Sequence, residues 1–196
     1  RLRVRVGGDD LGIGRAVGQP HRPGSATLAM LRIPSHAGSG PVLDRNTFLH
    51  VVQHAPLISM DLLIPYQDQL LMGRRINEPA RGSWFVPGGR IRKNETLEQA
   101  FERLCQAELG LTLALDQARL VGAFTHHYDS NFAEAPGVST HYVVLGYQLP
   151  ASCLDPALTS LPAEQHAAYA WVGPQEKAKP VHPNSAAYFA ALRLSP

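Results

Sequence analysis

The amino-acid sequence predicts a mixed α/β domain, in which strands lie on both sides of one central helix and another helix ends the chain. Leu97, Phe101 and Leu104 repeat at helical spacing and predict the central helix. Apolar segments at 57–64 and 141–149 predict strands before and after it. Because strands and helices do not alternate regularly, the pattern does not fit a series of βαβ units.

The other elements are shorter and are separated by turn residues. A helix at 44–54, capped by Asp44 or Thr47, precedes the first strand, and a polar loop is expected from His126 to about Thr140. A second loop should contain His166, with the last strand after it. The remaining predicted elements are strands at 70–75, 84–86, 111–113, 120–124 and 169–172, and a final helix at 186–192 capped within 183–185.

Composition limits the classes of function. The 196 residues suffice for one domain with its own core, and the net charge of +2 gives no footprint for nucleic acid. Cys105 and Cys153 show neither a disulfide framework nor a metal-ligand spacing, and Cys105 should lie in the core. No apolar run reaches the ~18 residues of a membrane helix, and no signal peptide is evident, so a cytoplasmic protein without membrane contact is expected.

Residues 1–41 differ from the rest of the chain because glycine and proline recur throughout them. We expect a flexible or irregular N-terminal extension there, either native or the product of a misassigned start. The Gly8 to Gly14 stretch has no adequate strand before it and no helical pattern after it, so it does not predict a dinucleotide loop. The second region, 42–196, should be the folded domain.

One loop-helix-loop stretch concentrates the groups suited to phosphate chemistry. Gly88 and Gly89 open it, Thr96 can cap the helix, and Gly110 can end the helix in a left-handed conformation. The backbone oxygens of the glycine turn and nearby carboxylates suit a hard cation such as Mg2+, and an arginine suits a phosphate. The charged residues of the stretch are Arg90, Glu95, Arg103 and Glu108.

This stretch resembles the Nudix box, with a departure. The usual box places acidic residues where this chain has Leu104 and Ala107, so Glu108 remains. That pattern is similar to the GDP-mannose mannosyl hydrolase branch of the Nudix superfamily, and the likeness extends from about Val42 to Phe189. The segments that show it are 56–61, 84–90, 95–98, 107–111, 140–146 and 164–166.

The resemblance implies a Nudix-type α/β/α sandwich with a mixed, curved β-sheet. It implies hydrolysis of GDP-mannose to GDP and free sugar by attack of water at the anomeric carbon, with inversion. One Mg2+ per site, replaceable by Mn2+, would be the cofactor, and a homodimer without nucleic-acid partners would be the assembly. The metal ligands would be the Gly88 carbonyl, Glu108 and Gln165.

The remaining site residues are also implied by the resemblance. His166 would be the general base, for which the pKa of histidine is suited. Asp61 would offset positive charge on the sugar, and His126 would lie near the sugar. Arg75, Arg90, Arg103 and Tyr142 would contact the substrate phosphates and act in catalysis, and Val42 and Leu43 would meet the base.

Several of these residues also have structural interpretations. Asp61 interrupts an apolar strand, where a paired structural carboxylate is possible on physical grounds. Tyr142 could be a strand-surface tyrosine, and Arg103 could pair with Glu95. His126 and His127 should point to opposite faces of an extended chain, so they predict no zinc site.

Two further functions are compatible with the sequence. A Nudix pyrophosphohydrolase would cut at phosphorus, against which Leu104 and Ala107 count. A non-catalytic module would only bind a nucleotide sugar, against which the joint presence of Glu108, Gln165 and His166 counts. The other basic residues near the turn, Arg74, Arg81, Arg92 and Lys93, are expected on a solvated face.

Overall fold

The structure of the chain is a computed structural model that describes residues 43–158, 161–162 and 166–194. It confirms the predicted mixed α/β fold. Its helices are α1 (Arg45–His54), α2 (Leu97–Leu109) and α3 (Pro183–Ala191). Its strands are β1 (Leu57–Leu63), β2 (Pro65–Tyr66), β3 (Gln69–Arg75), β4 (Trp84–Phe85), β5 (Gly88–Arg90), β6 (Arg119–Tyr128), β7 (Thr140–Gln148) and β8 (His166–Val172). Among these described helices, none is long and apolar enough to cross a membrane.

The strands form two sheets of four. The first has the order β5-β1-β7-β6, with β1 and β7 parallel and the other pairs antiparallel, so the sheet is mixed as predicted. In the second, β3 pairs antiparallel with β2, β4 and β8. The register shifts between Leu120 and Gly122 in β6 and between Gly73 and Arg75 in β3, and such bulges bend strands.

Strand β1 separates two hydrophobic cores. Met60 and Leu62 belong to a core that includes Phe101 of α2, whereas Leu63 belongs to a second core that includes Tyr188 and Phe189 of α3. Successive side chains of a strand point to opposite faces, so helices cover both faces of this sheet. The α/β/α layering implied by the family resemblance is therefore confirmed.

Both predicted ends of α2 are confirmed. The Thr96 hydroxyl accepts from the Gln99 amide, while the Gln99 side chain accepts from the Thr96 amide, which makes a reciprocal capping box. Gly110 ends the helix at φ 68°, a left-handed conformation that glycine adopts without a Cβ penalty. These two caps fix the length of the helix and place Glu108 in its last turn.

Two predictions about the chain after α2 are wrong. Residues 111–113 form no strand; Leu111 and Leu113 instead pack on the core beside α2, ahead of a 3-10 turn at Leu115–Gln117. The loop expected from His126 also starts later, because β6 continues to Tyr128. His126 pairs with Tyr142 and Tyr128 with Thr140 of β7, so cross-strand pairing and burial keep this polar stretch extended.

Two further boundaries differ from the prediction. His166 is the first residue of β8 and not part of a loop, because it is buried and pairs with Arg75 of β3. The last helix begins at Pro183, and its cap is His182, whose Nδ1 accepts from the Asn184 amide at 3.2 Å. Ser185 does not cap; its hydroxyl accepts from the Val86 amide and ties α3 to the chain before β5.

Candidate active site

A cavity of about 330 Å³ opens beside β5 and the end of α2. Residues that lie far apart in sequence meet there, from β1, β3, β5, α2, β6 and β7. Of the residues predicted for the site, the cavity is lined by Asp61, Arg75, Gly88, Arg90, Arg103, Glu108, His126 and Tyr142. The wall therefore combines cationic side chains with two carboxylates, which is a suitable composition for a phosphorylated ligand and a cation.

Two of the described residues predicted for the site, Leu43 and His166, do not line this cavity. Leu43 lies in a separate groove with Phe48 and Ile58. His166 lies behind the cavity wall, in contact with Glu108. Val42 and Gln165 fall outside the described residues.

The Gly88 carbonyl has no partner in the described sheets. Amide to carbonyl bonds join Leu62 to Pro87 at 2.8 Å and Ile91 to Ile58 at 2.9 Å. Alternate residues of an antiparallel strand bond to their neighbour, so the carbonyls of Gly88 and Arg90 point away from β1. Because β5 is the edge strand, these two oxygens face outward.

Gly88 is also a position where only glycine fits. A Cβ there would lie 2.4 Å from the carbonyl oxygen of Met60 and 2.8 Å from Oδ1 of Asp61. Both distances are too short for real carbon contacts, so any side chain would push β5 away from β1. The close approach holds the Gly88 backbone beside the carboxylate of Asp61.

An ion pair joins α2 to β5 at the rim of the cavity. Arg103 donates from Nε to Oε1 of Glu95 at 2.5 Å and from Nη2 to Oε2 at 2.7 Å. Nη2 also donates to the Arg90 carbonyl at 2.8 Å, and Glu95 accepts from the Arg92 amide at 2.7 Å. The bond from Arg103 is the main cause of the lowered pKa of Glu95. The predicted pairing is present, and Arg103 still borders the cavity.

Two other arginines of the wall, Arg75 and Arg90, lie over aromatic rings. The guanidinium of Arg75 lies 5.5 Å from the centre of the Phe85 ring, and its Nε donates to the Asn77 carbonyl. The guanidinium of Arg90 lies 3.8 Å from the centre of the Phe48 ring. Such contacts stabilise a cation while leaving its edge free for a ligand.

The remaining basic residues near the turn, Arg74, Arg81, Arg92 and Lys93, are exposed as expected, and one of them also borders the cavity. Arg92 is exposed but borders both the cavity and the separate groove. Lys93 borders the groove alone, and Arg81 pairs with Glu78 and Glu134. The turn after β5 directs Arg92 along the rim, which a linear pattern of charges cannot reveal.

Glu108 and His166 form a buried contact. Oε2 of Glu108 lies 3.3 Å from Nε2 of His166, and both residues are almost fully buried. Nδ1 of His166 has no hydrogen-bond partner among the described residues. The ring is seated against Gly73, where a Cβ would lie 2.3 Å from Nδ1. The histidine is therefore one contact away from the cavity, through Glu108.

Asp61 is a buried carboxylate that lines the cavity. Oδ2 accepts from the Tyr188 hydroxyl at 2.7 Å. Burial raises the pKa of Asp61 to about 7, against the lowering effects of the Tyr188 hydrogen bond and the charge of Arg75. Burial likewise lowers the pKa of His126 to about 4, so this imidazole is neutral at neutral pH.

Sequence reasoning missed several residues of the site. Phe85 and Tyr128 line the cavity, and Tyr188 hydrogen-bonds to Asp61 from behind it. The alternation of His126 and Tyr128 on one strand face was a signal for Tyr128. For Tyr188, predicted only as part of an apolar helix face, no sequence signal indicated contact with Asp61.

The donor atoms fit a single hard cation. The Glu108 carboxylate and the outward Gly88 carbonyl border the same cavity and are oxygen ligands of the kind that Mg2+ prefers. Within the described ranges, no group of three or more His, Cys, Asp or Glu side chains could ligate a metal on its own. A cation here would need the backbone carbonyl and oxygens from water or substrate, as Mg2+ usually does.

Comparison with known proteins gives three relationships. A family model described as the NUDIX domain matches residues 58–192. Low-salt glycan biosynthesis protein Agl8 of Haloferax volcanii is 41% identical over 99 residues, covering 50% of this chain and 62% of Agl8. 8-oxo-dGDP phosphatase NUDT18 of Homo sapiens is 28% identical over 88 residues, covering 45% of this chain and 25% of NUDT18. The chain thus covers less than two thirds of either curated relative.

The fold is shared with solved structures. The crystal structure of a MutT NUDIX hydrolase from Burkholderia pseudomallei superimposes with a TM-score of 0.51 at 24% identity. The match covers 73% of this chain and all of that one. At this identity the likeness concerns the fold.

The raised pKa of Asp61 predicts how the stability of the metal-free protein changes with pH. The folded state keeps the Asp61 proton up to pH about 7, whereas an unfolded carboxyl loses it near 3.8. The contribution of Asp61 to the free energy of unfolding is therefore full below pH 4 and is lost as pH rises through 7. Relative to Asp61→Asn, the wild type should lose roughly 2–4 kcal/mol over this range.

Urea unfolding at a series of pH values, in the presence of a chelator, measures this difference. The matched control is Asp68→Asn in the exposed turn after β2, which should follow the wild type at every pH. Parallel stability curves for wild type and Asp61→Asn would contradict the prediction.

Proposed function

The chain belongs to the Nudix family, and on that premise we propose that it hydrolyses a GDP-hexose, chiefly GDP-mannose, to GDP and the free sugar. Water would attack the anomeric carbon with inversion. The observation that supports this choice is the composition of the cavity wall. Leu104 and Ala107 line it where the usual Nudix box has acidic residues, which leaves Glu108 from that helix.

The cavity wall supports attack at carbon, because it lacks two carboxylates of the usual box and retains arginines that can bind the diphosphate. Nudix enzymes that attack phosphorus use the box carboxylates to hold further metal ions or to activate water. Leu104 and Ala107 can do neither. Arg75, Arg90 and Arg103 can instead neutralise the diphosphate, which makes GDP a better leaving group from the sugar. A leaving group stabilised in this way needs no general acid.

Divalent metal ions are the general cofactor of Nudix hydrolases. In this chain Glu108 and the Gly88 carbonyl would hold one, with Gln165, which lies outside the described residues, as the third ligand. When bound, Mg2+ or Mn2+ would act as a Lewis acid toward the diphosphate. The chain itself orients the diphosphate with its arginines and with Tyr142.

His166 would remove a proton from the attacking water. A histidine suits this task because its ordinary pKa lies near neutral pH. Its Nε2 lies 3.3 Å from Oε2 of Glu108, which places the imidazole next to the carboxylate that would hold the cation. Asp61 would offset the positive charge that develops on the sugar ring, from a position within the same cavity.

The named relatives point to two classes of substrate. Agl8 is named for glycan biosynthesis, which favours a sugar nucleotide for this chain. NUDT18 is named as an 8-oxo-dGDP phosphatase, and together with the position of His166 behind the wall it favours the alternative, a pyrophosphohydrolase acting at phosphorus. The site of bond cleavage separates the two.

Hydrolysis of GDP-mannose in 18O-labelled water with Mg2+ identifies the bond that breaks. We expect label in mannose and none in GDP, because water attacks the anomeric carbon. Mass analysis of both products shows which one carries the label. Label in a phosphate, with GMP and mannose 1-phosphate as products, would replace this proposal with the pyrophosphohydrolase.

Replacement of the proposed base tests its role. His166→Ala should lower kcat about 10²- to 10⁴-fold, the range for loss of a general base, while GDP-mannose still binds. Calorimetric titration measures the binding of GDP-mannose, and the rate of GDP release measures kcat. His127→Ala, which alters an exposed histidine stacked on His141, should leave kcat unchanged. Full activity in His166→Ala would require another base.

The cation site is tested by two glutamates of the same helix. Glu108→Gln should weaken Mn2+ binding by about tenfold or more, because it removes a charged ligand while keeping the size of the side chain. Glu102→Gln, which changes an exposed position, should bind Mn2+ as the wild type does. Mn2+ titration followed by electron paramagnetic resonance gives both affinities. Equal affinities would exclude Glu108 as a ligand.

A further inference from the structure

Tyr188 places a buried hydroxyl between two residues of the cavity wall. The residue lies on α3 and is fully buried. Its oxygen is 2.7 Å from Oδ2 of Asp61 and 3.4 Å from Nε2 of His126. Its ring packs edge-to-face with that of Phe124, with 4.8 Å between ring centres. Asp61 and His126 border the cavity, whereas Tyr188 stands behind both.

The chemistry of the three groups sets the direction of the hydrogen bonds. When Asp61 is ionised, its carboxylate only accepts, so the single hydroxyl proton of Tyr188 goes to Oδ2 of Asp61. The oxygen of Tyr188 can then accept from Nε2 of His126, which requires the tautomer with hydrogen on that nitrogen. The order of donation is from His126 to Tyr188 to Asp61.

With these hydrogen bonds, Oδ1 is the oxygen of Asp61 that can interact with a ligand in the cavity. Oδ2 of Asp61 is engaged with Tyr188, while Oδ1 lies on the side of Gly88, within 2.8 Å of where a Cβ of that glycine would be. The hydrogen bond from Tyr188 restricts rotation of the carboxylate about its Cβ–Cγ bond. The Tyr188 bond therefore selects which oxygen faces a ligand.

We propose that Tyr188 is a positioning residue, which holds the Asp61 carboxylate so that Oδ1 faces the sugar in the transition state. His126 supports the same arrangement by donating to the Tyr188 oxygen. The role in turnover rests on the proposed function, whereas the hold on Asp61 is a property of the chain alone. Tyr188 touches no substrate and acts only through Asp61.

A structural explanation of Tyr188 predicts something different. The ring fills the second core with Phe189, and a phenylalanine would fill nearly the same volume. If Tyr188 only filled space in this core, loss of its hydroxyl would change neither kcat nor the orientation of the Asp61 carboxylate. Tyr147 offers the matched case, because its buried hydroxyl has no hydrogen-bond partner among the described residues.

The test is a double-mutant cycle on GDP-mannose turnover with Tyr188→Phe, Asp61→Asn and the double variant. Loss of a hydrogen bond to a charged group should lower kcat about 10- to 100-fold in Tyr188→Phe, with KM changed less than threefold. The double variant should lose no more than Asp61→Asn alone, because Tyr188 acts through Asp61. Tyr147→Phe should keep wild-type kcat.

Three results would overturn the inference: an unchanged kcat in Tyr188→Phe, losses that multiply in the double variant, or an equal loss in Tyr147→Phe. Absence of GDP release by the wild type would instead overturn the proposed function. In that case the same cycle is measured by urea unfolding. Non-additive stabilities would support the hold of Tyr188 on Asp61, and additive stabilities would overturn it.

Discussion

The two-point ion pair between Arg103 and Glu95 is the interaction on which the rim of the cavity depends. Arg103 lies on α2, and Glu95 lies in the turn that leads into this helix, so the pair closes the loop between β5 and α2 on itself. Both partners also bind backbone, at Arg90 and Arg92. Breaking one partner would leave the other charge poorly compensated, since Glu95 is nearly buried. The positions of the rim arginines follow from this closed loop.

The second constraint is the position of β1 between two cores. Its side chains alternate between the layer under α2 and the layer under α3, and Asp61 is the charged residue of a strand whose other members are uncharged. Burial opposes ionisation of that carboxyl, while Tyr188 and Arg75 favour it. The cavity is therefore built from both layers, because α2 supplies Glu108 and Tyr188 of α3 supports Asp61.

Local signals explain why the central part of the fold was predictable. The capping residue Thr96, the helix-ending Gly110 and the spacing of Phe101 and Leu104 act within one turn of helix, so sequence alone reveals them. Burial of Cys105 follows from the same periodicity. Two of the errors concern pairing between distant segments. His126 and His166 were predicted as loop residues because both lie in polar stretches. Their partners on β7 and β3 are distant in sequence, so the pairing could not be predicted. The hydrogen bond from Tyr188 spans 127 positions, and no local pattern encodes it.

The outward carbonyl of Gly88 has a consequence for how this site can change over time. It belongs to the main chain, so replacing a side chain cannot delete it, although substitution of Gly88 itself would displace the strand. What would abolish it is a one-residue slip of β5 against β1, which would turn the oxygen toward its neighbour. An insertion or deletion at 86–87, between β4 and β5, would produce such a slip. Point replacement should therefore remove the proposed carboxylate ligand, Glu108, first, whereas a change in chain length would remove the proposed backbone ligand.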